Sequence, residues 1–325
     1  MPHHTDAPGE VGEFRLSWEQ QVARLEAACR DLGVERGRAR ELMRLLKEFL
    51  QEGKRSRNHY MAANESFEVT DIHELWRLRL PQFPGLGEAI RQCLSSGAVV
   101  PEDELPRTAS NKPRNDAFVY WVAGRLLDAG VTVLAVDGIG RGGGEPGGPC
   151  DVLIEWEGAK LAIECKRPYS PSGLGPCLRR AVSQIRRRGV PGVATLDCSR
   201  VVRPMAPEGT VLEAASPETA WARLADSLQG LLATVQRPSP RWGVLGLVLF
   251  ARAPVMIVAA SRIWSVTGRP YEYLTAYSVT AAVIWHDGGV PETANVPAIW
   301  RRVAQSGAKD RARRTGASSA TGKSK

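Results

Sequence analysis

Residues 150–168, with the sequence CDVLIEWEGAKLAIECKRP, decide the fold of this chain because they contain two apolar strands joined by a turn at Glu157-Gly158. Glu164 and Lys166 interrupt the apolar pattern of the second strand and stand two residues apart. Side chains alternate along a strand, so these two share one face, and the residues beside them point to the other. The pair is therefore either an exposed ion pair on a strand or half of a metal-dependent active site.

A third charged group reaches the same end of the predicted sheet. The turn folds the two strands antiparallel, so Asp151, at the start of the first strand, lies beside Glu164 and Lys166 at the end of the second. Magnesium prefers oxygen ligands, and Asp151, Glu164 and the backbone carbonyl of Cys165 provide them. A bound metal lowers the pKa of a water molecule, and Lys166 would activate or orient that water or stabilise the transition state. These residues predict phosphodiester hydrolysis that depends on Mg²⁺, with Mn²⁺ as the alternative metal.

The elements around this hairpin predict an α/β fold with the order helix, strand, strand, strand, helix, strand. The predicted helices span residues 116–129, 175–188 and 217–236, and the predicted strands span residues 131–136, 151–156, 160–166 and 192–198. Residues 243–286 are rich in Val, Ile, Tyr and Thr and predict further strands.

The motif and the order of elements resemble those of the PD-(D/E)XK nuclease superfamily, whose members include restriction endonucleases and resolvases. Asp151 matches the first acid of the family motif, Glu164 the second acid and Lys166 the lysine, while Cys150 stands where the motif has proline. The resemblance covers residues 116–200 and extends through the later strands. It implies a restriction-endonuclease-like αβββαβ core with a mixed sheet, preceded by a helical region, and metal-dependent cleavage of nucleic acid. The family favours DNA over RNA as the substrate.

Three more residues lie at positions that the resemblance makes informative. Gln184 stands where members often place a glutamine, and it is either a catalytic residue near Lys166 and the metal-bound water or a helix-surface amide. Asp116 is the only carboxylate at the start of the first helix, where many members supply another acid, so it either completes the site or the helix contributes no ligand. Arg167 faces away from Lys166 on a regular strand, which gives it only a supporting role.

The chain is basic, with 43 Lys and Arg against 35 Asp and Glu, a net charge of +8 and a pI near 9.4. Such an excess suits a polyanion such as nucleic acid, although many soluble proteins carry it for solubility alone. Only 8 of the 43 basic residues are lysines, so a lysine at position 166 fits a site that needs a compact charge with a tunable pKa.

The helix predicted over residues 175–188 is strongly basic. Leu178, Val182 and Ile185 form its apolar stripe. The arginines around that stripe are Arg179, Arg180, Arg186, Arg187 and Arg188. They are either a solvated face or phosphate contacts along a substrate groove.

Other conspicuous residues carry weaker signals. Residues 138–143 match GxGxxG, but a strand rather than a helix follows, which argues against a dinucleotide site. The loop is predicted to be mobile at the mouth of the site, with Arg141 near the substrate. His286 stands alone at a predicted strand end and is interpreted as structural or solvated. Tyr120 and Trp121 are interpreted as core residues.

The first hundred residues predict helices and carry no recognisable chemistry. A capping box at Ser17 begins the first helix, leucines at helical spacing predict a second, and two shorter helices are expected near residues 71–79 and 86–95. The chain divides into a helical accessory region (1–105), a PD-(D/E)XK nuclease-like domain (106–303) and a basic, disordered tail (304–325). A protein partner or self-association through the N-terminal helices stays open.

Composition also bears on location and on the alternative function. Six cysteines lack a CxxC pair, and the first ten residues lack the apolar region of a secretory leader, so we expect reduced thiols and a cytoplasmic protein. Arg252 and Pro254 interrupt the apolar run 243–260, which favours two buried strands joined near them over a membrane span. The alternative to a nuclease is a catalytically impaired protein that retains the fold and binds nucleic acid or serves as a scaffold.

Overall fold

The computed structural model describes residues 18–52, 57–100, 112–143, 150–202, 212–214, 217–235, 243–257, 277–286, 298–300 and 303. Its helices are α1 (Trp18–Asp31), α2 (Arg38–Glu52), α3 (Arg57–Trp76), α4 (Leu86–Ser95), α5 (Lys112–Asp128), α6 (Pro171–Arg188), α7 (Ser199–Val202) and α8 (Pro217–Thr234). Its strands are β1 (Thr132–Val136), β2 (Ile139–Gly140), β3 (Val152–Trp156), β4 (Ala159–Lys166), β5 (Gly192–Asp197), β6 (Leu212–Ala214), β7 (Val244–Ile257) and β8 (Tyr277–His286). Ser17 and the predicted tail over 304–325 lie outside the described residues.

The strands form one mixed sheet in the order β2-β1-β3-β4-β5-β7-β6, with β8 paired to β7. β1, β3 and β4 are antiparallel neighbours, whereas β4, β5 and β7 are parallel, so the carboxyl ends of these three lie at one edge of the sheet. Helix α6 makes the crossover from β4 to β5 that parallel neighbours require. The α/β class with a mixed sheet is therefore confirmed.

Helices cover both faces of the sheet, because its central strands carry apolar side chains on both. On β5, Val193 belongs to the core beneath α1–α5, whereas Ala194 belongs to the core beneath α6 and α8. The first core is continuous from Leu25 of α1 to Val248 of β7, so the N-terminal helices and one face of the sheet bury their apolar residues together. The predicted boundary at residue 105 separates elements that share this core, and it stays a prediction.

Helix α3 is polar in sequence but buried over residues 61–73. Three of its carboxylates pair with arginines of other elements: Glu65 with Arg114, Glu68 with Arg38 at 3.2 Å, and Asp71 with Arg125 at 2.9 Å. Charges inside a protein need such partners, because desolvation of an isolated charge is costly. The prediction of a short helix near residues 71–79 is wrong in its bounds, because these buried ion pairs, together with core residues such as Phe67 and Ile72, hold a longer helix in place.

Strand β7 is a single 14-residue strand that continues through Arg252 and Pro254. The prediction of two strands joined near these residues is therefore wrong. Arg252 is accommodated because its guanidinium lies 3.6 Å from Asp71 and 5.3 Å from the centroid of the Trp121 ring. Pro254 has no N–H to donate, and it falls between the residues paired with β5 and those paired with β6, so no ladder bond is lost on that side.

Two findings bear on the cysteines and on membranes. All six cysteines lie in the described residues as buried thiols without a disulfide. Burial raises the pKa of Cys165 and Cys198 well above the ordinary value, so these thiols stay protonated at neutral pH.

No helix of the described ranges is both long enough and apolar enough to cross a membrane.

Candidate metal centre

The β3–β4 hairpin brings the predicted acids together. Glu157 and Gly158 form its turn with φ values of 48° and 80°, and positive φ at both central residues is what a tight type I′ turn requires. The register pairs the first residue of β3 with Ile163. Asp151, one residue before β3, therefore stands opposite Glu164 of β4.

The predicted metal ligands converge on the ammonium group of Lys166. Its Nζ lies 2.8 Å from Asp151 Oδ2, 3.1 Å from Glu164 Oε2 and 2.9 Å from the carbonyl oxygen of Cys165. Nζ donates a hydrogen bond to each of these oxygens. They belong to the same three groups that the sequence assigns to a magnesium ion.

Asp151 is fixed through both its side chain and its backbone. The backbone N–H of Cys165 donates a hydrogen bond to Asp151 Oδ2 at 2.6 Å, so the carboxylate continues the β3–β4 ladder by one step. The backbone N–H of Asp137 donates to the Asp151 carbonyl oxygen at 2.8 Å. The position of this carboxylate is therefore set by backbone groups of two neighbouring strands.

The side chain of Glu164 is fully buried. Within the part of the chain that the structure describes, Glu164 Oε1 accepts no hydrogen bond. Arg188 Nε approaches this oxygen but remains 3.8 Å away. Burial, and then the negative charge of Asp151, raise the pKa of Glu164 to about 7 against the opposing effect of Lys166 and Arg188. Glu164 is therefore a carboxylate whose charge is not fully compensated by its neighbours.

Lys166 remains charged in this environment. Burial lowers the pKa of its ammonium group, but attraction by Asp151 and Glu164 outweighs burial and leaves the pKa above the ordinary value. The side chains of Lys166 and Asp151 are 18% and 21% exposed, whereas Glu164 lies beneath them. The site is consequently open to solvent on the side of Lys166 and Asp151.

Two more carboxylates lie near this group. Asp116 of α5 pairs with Lys112 at 2.7 Å. Burial is the main cause that raises the pKa of Asp116, and the negative charges of Asp137 and Asp151 add to it. Asp116 is thus within the electrostatic reach of Asp151, although the two carboxylates form no hydrogen bond. Whether it binds metal stays a prediction.

Asp137 is a neighbour of the site that sequence reasoning missed. Val136 of β1 pairs with Val152 of β3, so Asp137 stands opposite Asp151, just as Asp151 stands opposite Glu164. Its sequence signal was only an Asp-Gly pair after an apolar strand, which indicates a turn. The proximity to Asp151 depends on strand pairing that the sequence does not state.

Helix α6 directs Arg188 rather than Gln184 at the site. The Arg188 side chain is 9% exposed and points at Glu164, so its interpretation as part of a solvated face is wrong, whereas its interpretation as a phosphate contact stays a prediction. Gln184 is half-buried one turn earlier and forms no hydrogen bond with Lys166; its catalytic role stays a prediction. The other four arginines, Arg179, Arg180, Arg186 and Arg187, are exposed, and both interpretations of them remain open.

Arg167 faces away from Lys166 and belongs to a second polar group on the opposite face of the sheet. Its Nε lies 2.8 Å from Asp197 at the end of β5. Asp197 accepts a hydrogen bond from the Ser199 hydroxyl, and Ser199 Oγ accepts one from the backbone N–H of Arg252 at 2.8 Å. These residues line a cleft between the sheet and α3.

The remaining predicted residues lie apart from the metal centre or outside the described residues. Tyr120 and Trp121 are confirmed as core residues. Arg141 is exposed, and a strand follows the glycine-rich loop, whose residues 144–149 are not among those described. The side chain of His286 also lies outside the description. In the described ranges, no group of three or more His, Cys, Asp or Glu side chains is arranged to hold a metal ion.

The fold and site together define an α/β protein with two carboxylates, a lysine and a backbone carbonyl gathered at one end of a β-hairpin. Comparison of the chain with protein-family models, curated proteins and solved structures found no match. The assignment to the PD-(D/E)XK superfamily therefore stays a prediction.

Proposed function

We propose that this protein is a metal-dependent nuclease that hydrolyses phosphodiester bonds in nucleic acid, with DNA as the favoured substrate. The observation that carries the proposal is the convergence of Asp151, Glu164 and the Cys165 carbonyl on Lys166 Nζ. The order α5, β1, β3, β4, α6, β5 adds support, because it is the αβββαβ order of a restriction-endonuclease-like core apart from the two-residue β2.

The groups around Lys166 fit a hard divalent cation. Their oxygens already surround one cationic atom at 2.8–3.1 Å, and oxygen ligands are those that Mg²⁺ prefers. Among the described residues, no group donates a hydrogen bond to the buried Glu164 Oε1, and a metal ion would compensate this oxygen. We assign Asp151, Glu164 and the Cys165 carbonyl to Mg²⁺ or Mn²⁺.

When bound, such a metal lowers the pKa of a coordinated water and offsets charge that develops on phosphate. Without a bound cation, the negative charges of Asp151 and Glu164 raise the pKa of Lys166, so its Nζ keeps its proton. Once a cation offsets these carboxylates, the ammonium is free to orient the attacking water or to stabilise negative charge on the phosphate. Asp151, anchored by the Cys165 N–H, keeps the ligand set in register with the hairpin.

Nuclease assays on matched variants test the proposal. Purified protein is incubated with plasmid, single-stranded DNA and RNA in Mg²⁺, in Mn²⁺ and in a chelator. Asp151→Asn and Glu164→Gln should abolish cleavage, and Lys166→Met should lower its rate at least about 100-fold, as expected when one charge-stabilising donor is removed.

The controls are Glu155→Gln and Lys160→Met, which alter an acid and a lysine paired across the same hairpin. Glu155 and Lys160 are exposed, so their replacement should leave cleavage unchanged. Wild-type protein that is inert with both metals, or controls that lose as much activity as the site variants, would contradict the proposal.

A catalytically impaired binding or scaffold protein is the second candidate, and one observation favours it. Lys166 donates a hydrogen bond to one oxygen of each predicted ligand, as a purely structural ion-pair group would. This candidate predicts that the protein binds nucleic acid without cleaving it. It also predicts that calorimetry detects no Mn²⁺ binding that Asp151→Asn removes. The nuclease predicts Mn²⁺ binding that is lost in Asp151→Asn.

A further inference from the structure

An exposed aromatic ring follows the proposed metal centre by a few residues in the chain. Tyr169 follows Lys166 by three residues, so its Cα is at most about 11 Å from that of Lys166. Its exposed fraction is 37%, and Leu78 is the other large apolar side chain exposed in the described residues. An aromatic side chain that stays exposed close to a candidate active site is available for contact with a substrate.

Arg200 lies against the Tyr169 ring. Its guanidinium carbon is 3.6 Å from the ring centroid, well inside the distance of about 6 Å at which a cation over a ring is attracted. Tyr169 follows β4, and Arg200 follows β5. Since β4 and β5 are parallel neighbours, both residues lie at the carboxyl edge of the sheet, where Lys166 ends β4.

The geometry points to Tyr169 and Arg200 as a stacking platform for an unpaired nucleobase next to the cleaved phosphate. A base in a duplex has both faces covered by its neighbours, whereas an unpaired base offers a face to an aromatic ring or a guanidinium plane. The inference rests on the proposed nuclease function and narrows its substrate to nucleic acid with unpaired nucleotides at the cleavage site.

The charge of the helix that follows Tyr169 suits the strand that would carry this base. Helix α6 begins two residues after Tyr169, and its exposed arginines are Arg179, Arg180, Arg186 and Arg187. Arginines of this kind contact phosphates without reading the sequence. The base platform and the basic helix together favour a single-stranded segment over a uniform duplex.

Binding measurements without catalysis test this inference. Glu164→Gln protein in a chelator is titrated into a fluorescent single-stranded oligonucleotide and into a duplex hairpin, and the dissociation constants come from anisotropy. Tyr169→Ala should weaken single-strand binding about tenfold or more and leave duplex binding within about twofold. Tyr169→Phe should bind like the parent because it keeps the ring.

Matched variants separate stacking from charge and from folding. Leu78→Ala removes the other exposed apolar side chain and should change neither affinity. Arg200→Gln should weaken single-strand binding more than Arg223→Gln, which removes an exposed arginine of α8. Tyr169→Leu, which keeps bulk without the ring, should bind as weakly as Tyr169→Ala at an unchanged melting temperature.

The outcomes distinguish this inference from the nuclease proposal. The platform is overturned if the parent protein binds no single strand, if Tyr169→Ala matches Leu78→Ala, or if Tyr169→Ala weakens both substrates equally. Wild-type protein that binds single strands through Tyr169 but cleaves nothing would leave the platform standing and remove the nuclease. Cleavage that does not depend on Tyr169 would support the nuclease and overturn the platform.

Discussion

Glu164 combines complete burial with a second carboxylate on the neighbouring strand, and both features make its charge costly. Burial raises its pKa first, and Asp151 raises it further. Lys166 and Arg188 act in the opposite direction but do not restore the ordinary value. A carboxylate in this environment binds a proton near neutral pH.

Titration of the metal-free protein checks this arrangement. We expect a Glu164 pKa of about 7 when its carboxyl carbon is followed by NMR with labelled glutamate. Asp151→Asn should lower that pKa because it removes a negative neighbour, whereas Arg188→Gln should raise it because it removes a positive one. Arg179→Gln, at an exposed position of the same helix, should leave it unchanged. A Glu164 pKa near 4 in wild-type protein would contradict the burial.

Asp71 shows the opposite balance at a buried carboxylate. Burial raises its pKa, but the charges of Arg125, Arg252 and Arg24 outweigh burial and lower it below the ordinary value. A carboxyl group with a depressed pKa in the folded state stabilises the protein above its unfolded pKa of about 3.9. That stability is lost as the pH falls through the folded pKa.

Urea unfolding tests the contribution of Asp71. Asp71→Asn should lower the free energy of unfolding at pH 7 by about 3–5 kcal/mol, because it leaves buried arginines without their anion. The difference between variant and wild type should shrink below about pH 4, where the Asp71 carboxyl of the unfolded wild-type chain begins to bind a proton and that of the folded chain does not. Asp226→Asn, at an exposed position of α8, should have little effect. An equal loss at pH 7 and pH 3 would contradict the ion-pair explanation.

The site residues differ in how far the sequence could predict them. Asp151, Glu164 and Lys166 were predictable because a two-residue turn and strand alternation determine their proximity without any distant contact. Arg188 was visible only as one of five arginines, and its approach to Glu164 depends on the packing of α6 on the sheet. The Arg167–Asp197 pair likewise joins two strands that are parallel through a crossover, which local patterns do not specify.

At the level of elements, α3 and α5 approach each other closely at Gly124. A Cβ atom at this position would lie 2.8 Å from Leu75 Cβ and 3.1 Å from Trp76 Nε1. The indole N–H of Trp76 also donates to the backbone carbonyl oxygen of Tyr120 at 2.8 Å. The helices can pack at this distance only because position 124 has no side chain.

Two glycine substitutions in helices test this contact. Gly124→Ala should lower the free energy of unfolding by about 1–3 kcal/mol, because the methyl group forces α3 and α5 apart. Gly230→Ala in α8 should raise it by about 0.5–1 kcal/mol, since alanine is the better helix former and its Cβ would meet no atom within 4 Å. Denaturant unfolding of both variants gives the comparison. A stabilised Gly124→Ala protein would show that the helices do not touch there.

Elements with a regular apolar period were predictable, and those stabilised by buried charges were not. The β3–β4 hairpin, α5, α6 and β5 have limits within a few residues of those predicted. Helix α3 was predicted too short because Glu65, Glu68 and Asp71 occupy inward positions that an apolar stripe would fill. The sequence predicted two strands where β7 is one, for the same reason. A charged residue such as Arg252 indicates an exposed position unless its buried ion-pair partner, here Asp71, is known.

For the whole molecule, the shared core decides whether the predicted regions are independent. Phe118 and Trp121 of α5 belong to the same core as Leu75 and Trp76 of α3 and as Phe250 of β7. Removal of the N-terminal helices would expose this face of α5 and of the sheet to water. Large exposed apolar patches of this kind promote aggregation.

Expression of a fragment tests the division at residue 105. Residues 106–325 alone should lack a cooperative thermal transition and should aggregate, whereas a chain shortened only to residues 1–303 should keep the melting temperature of the full protein. Circular dichroism during heating gives both results. A cooperative transition in the 106–325 fragment would show that the helical region is a separate domain.

Lys166 is the last residue of β4 and Arg167 follows it directly, yet the two side chains lie on opposite faces of the sheet. Because one peptide unit joins the two residues, a shift of the Lys166 backbone relative to Asp151 and Glu164 would also move Arg167 relative to Asp197. Substitutions around Arg167, on the α3 side of the sheet, are therefore expected to be limited by the function of Lys166 on the other side. A substitution at one of these two positions should require a compensating substitution at the other.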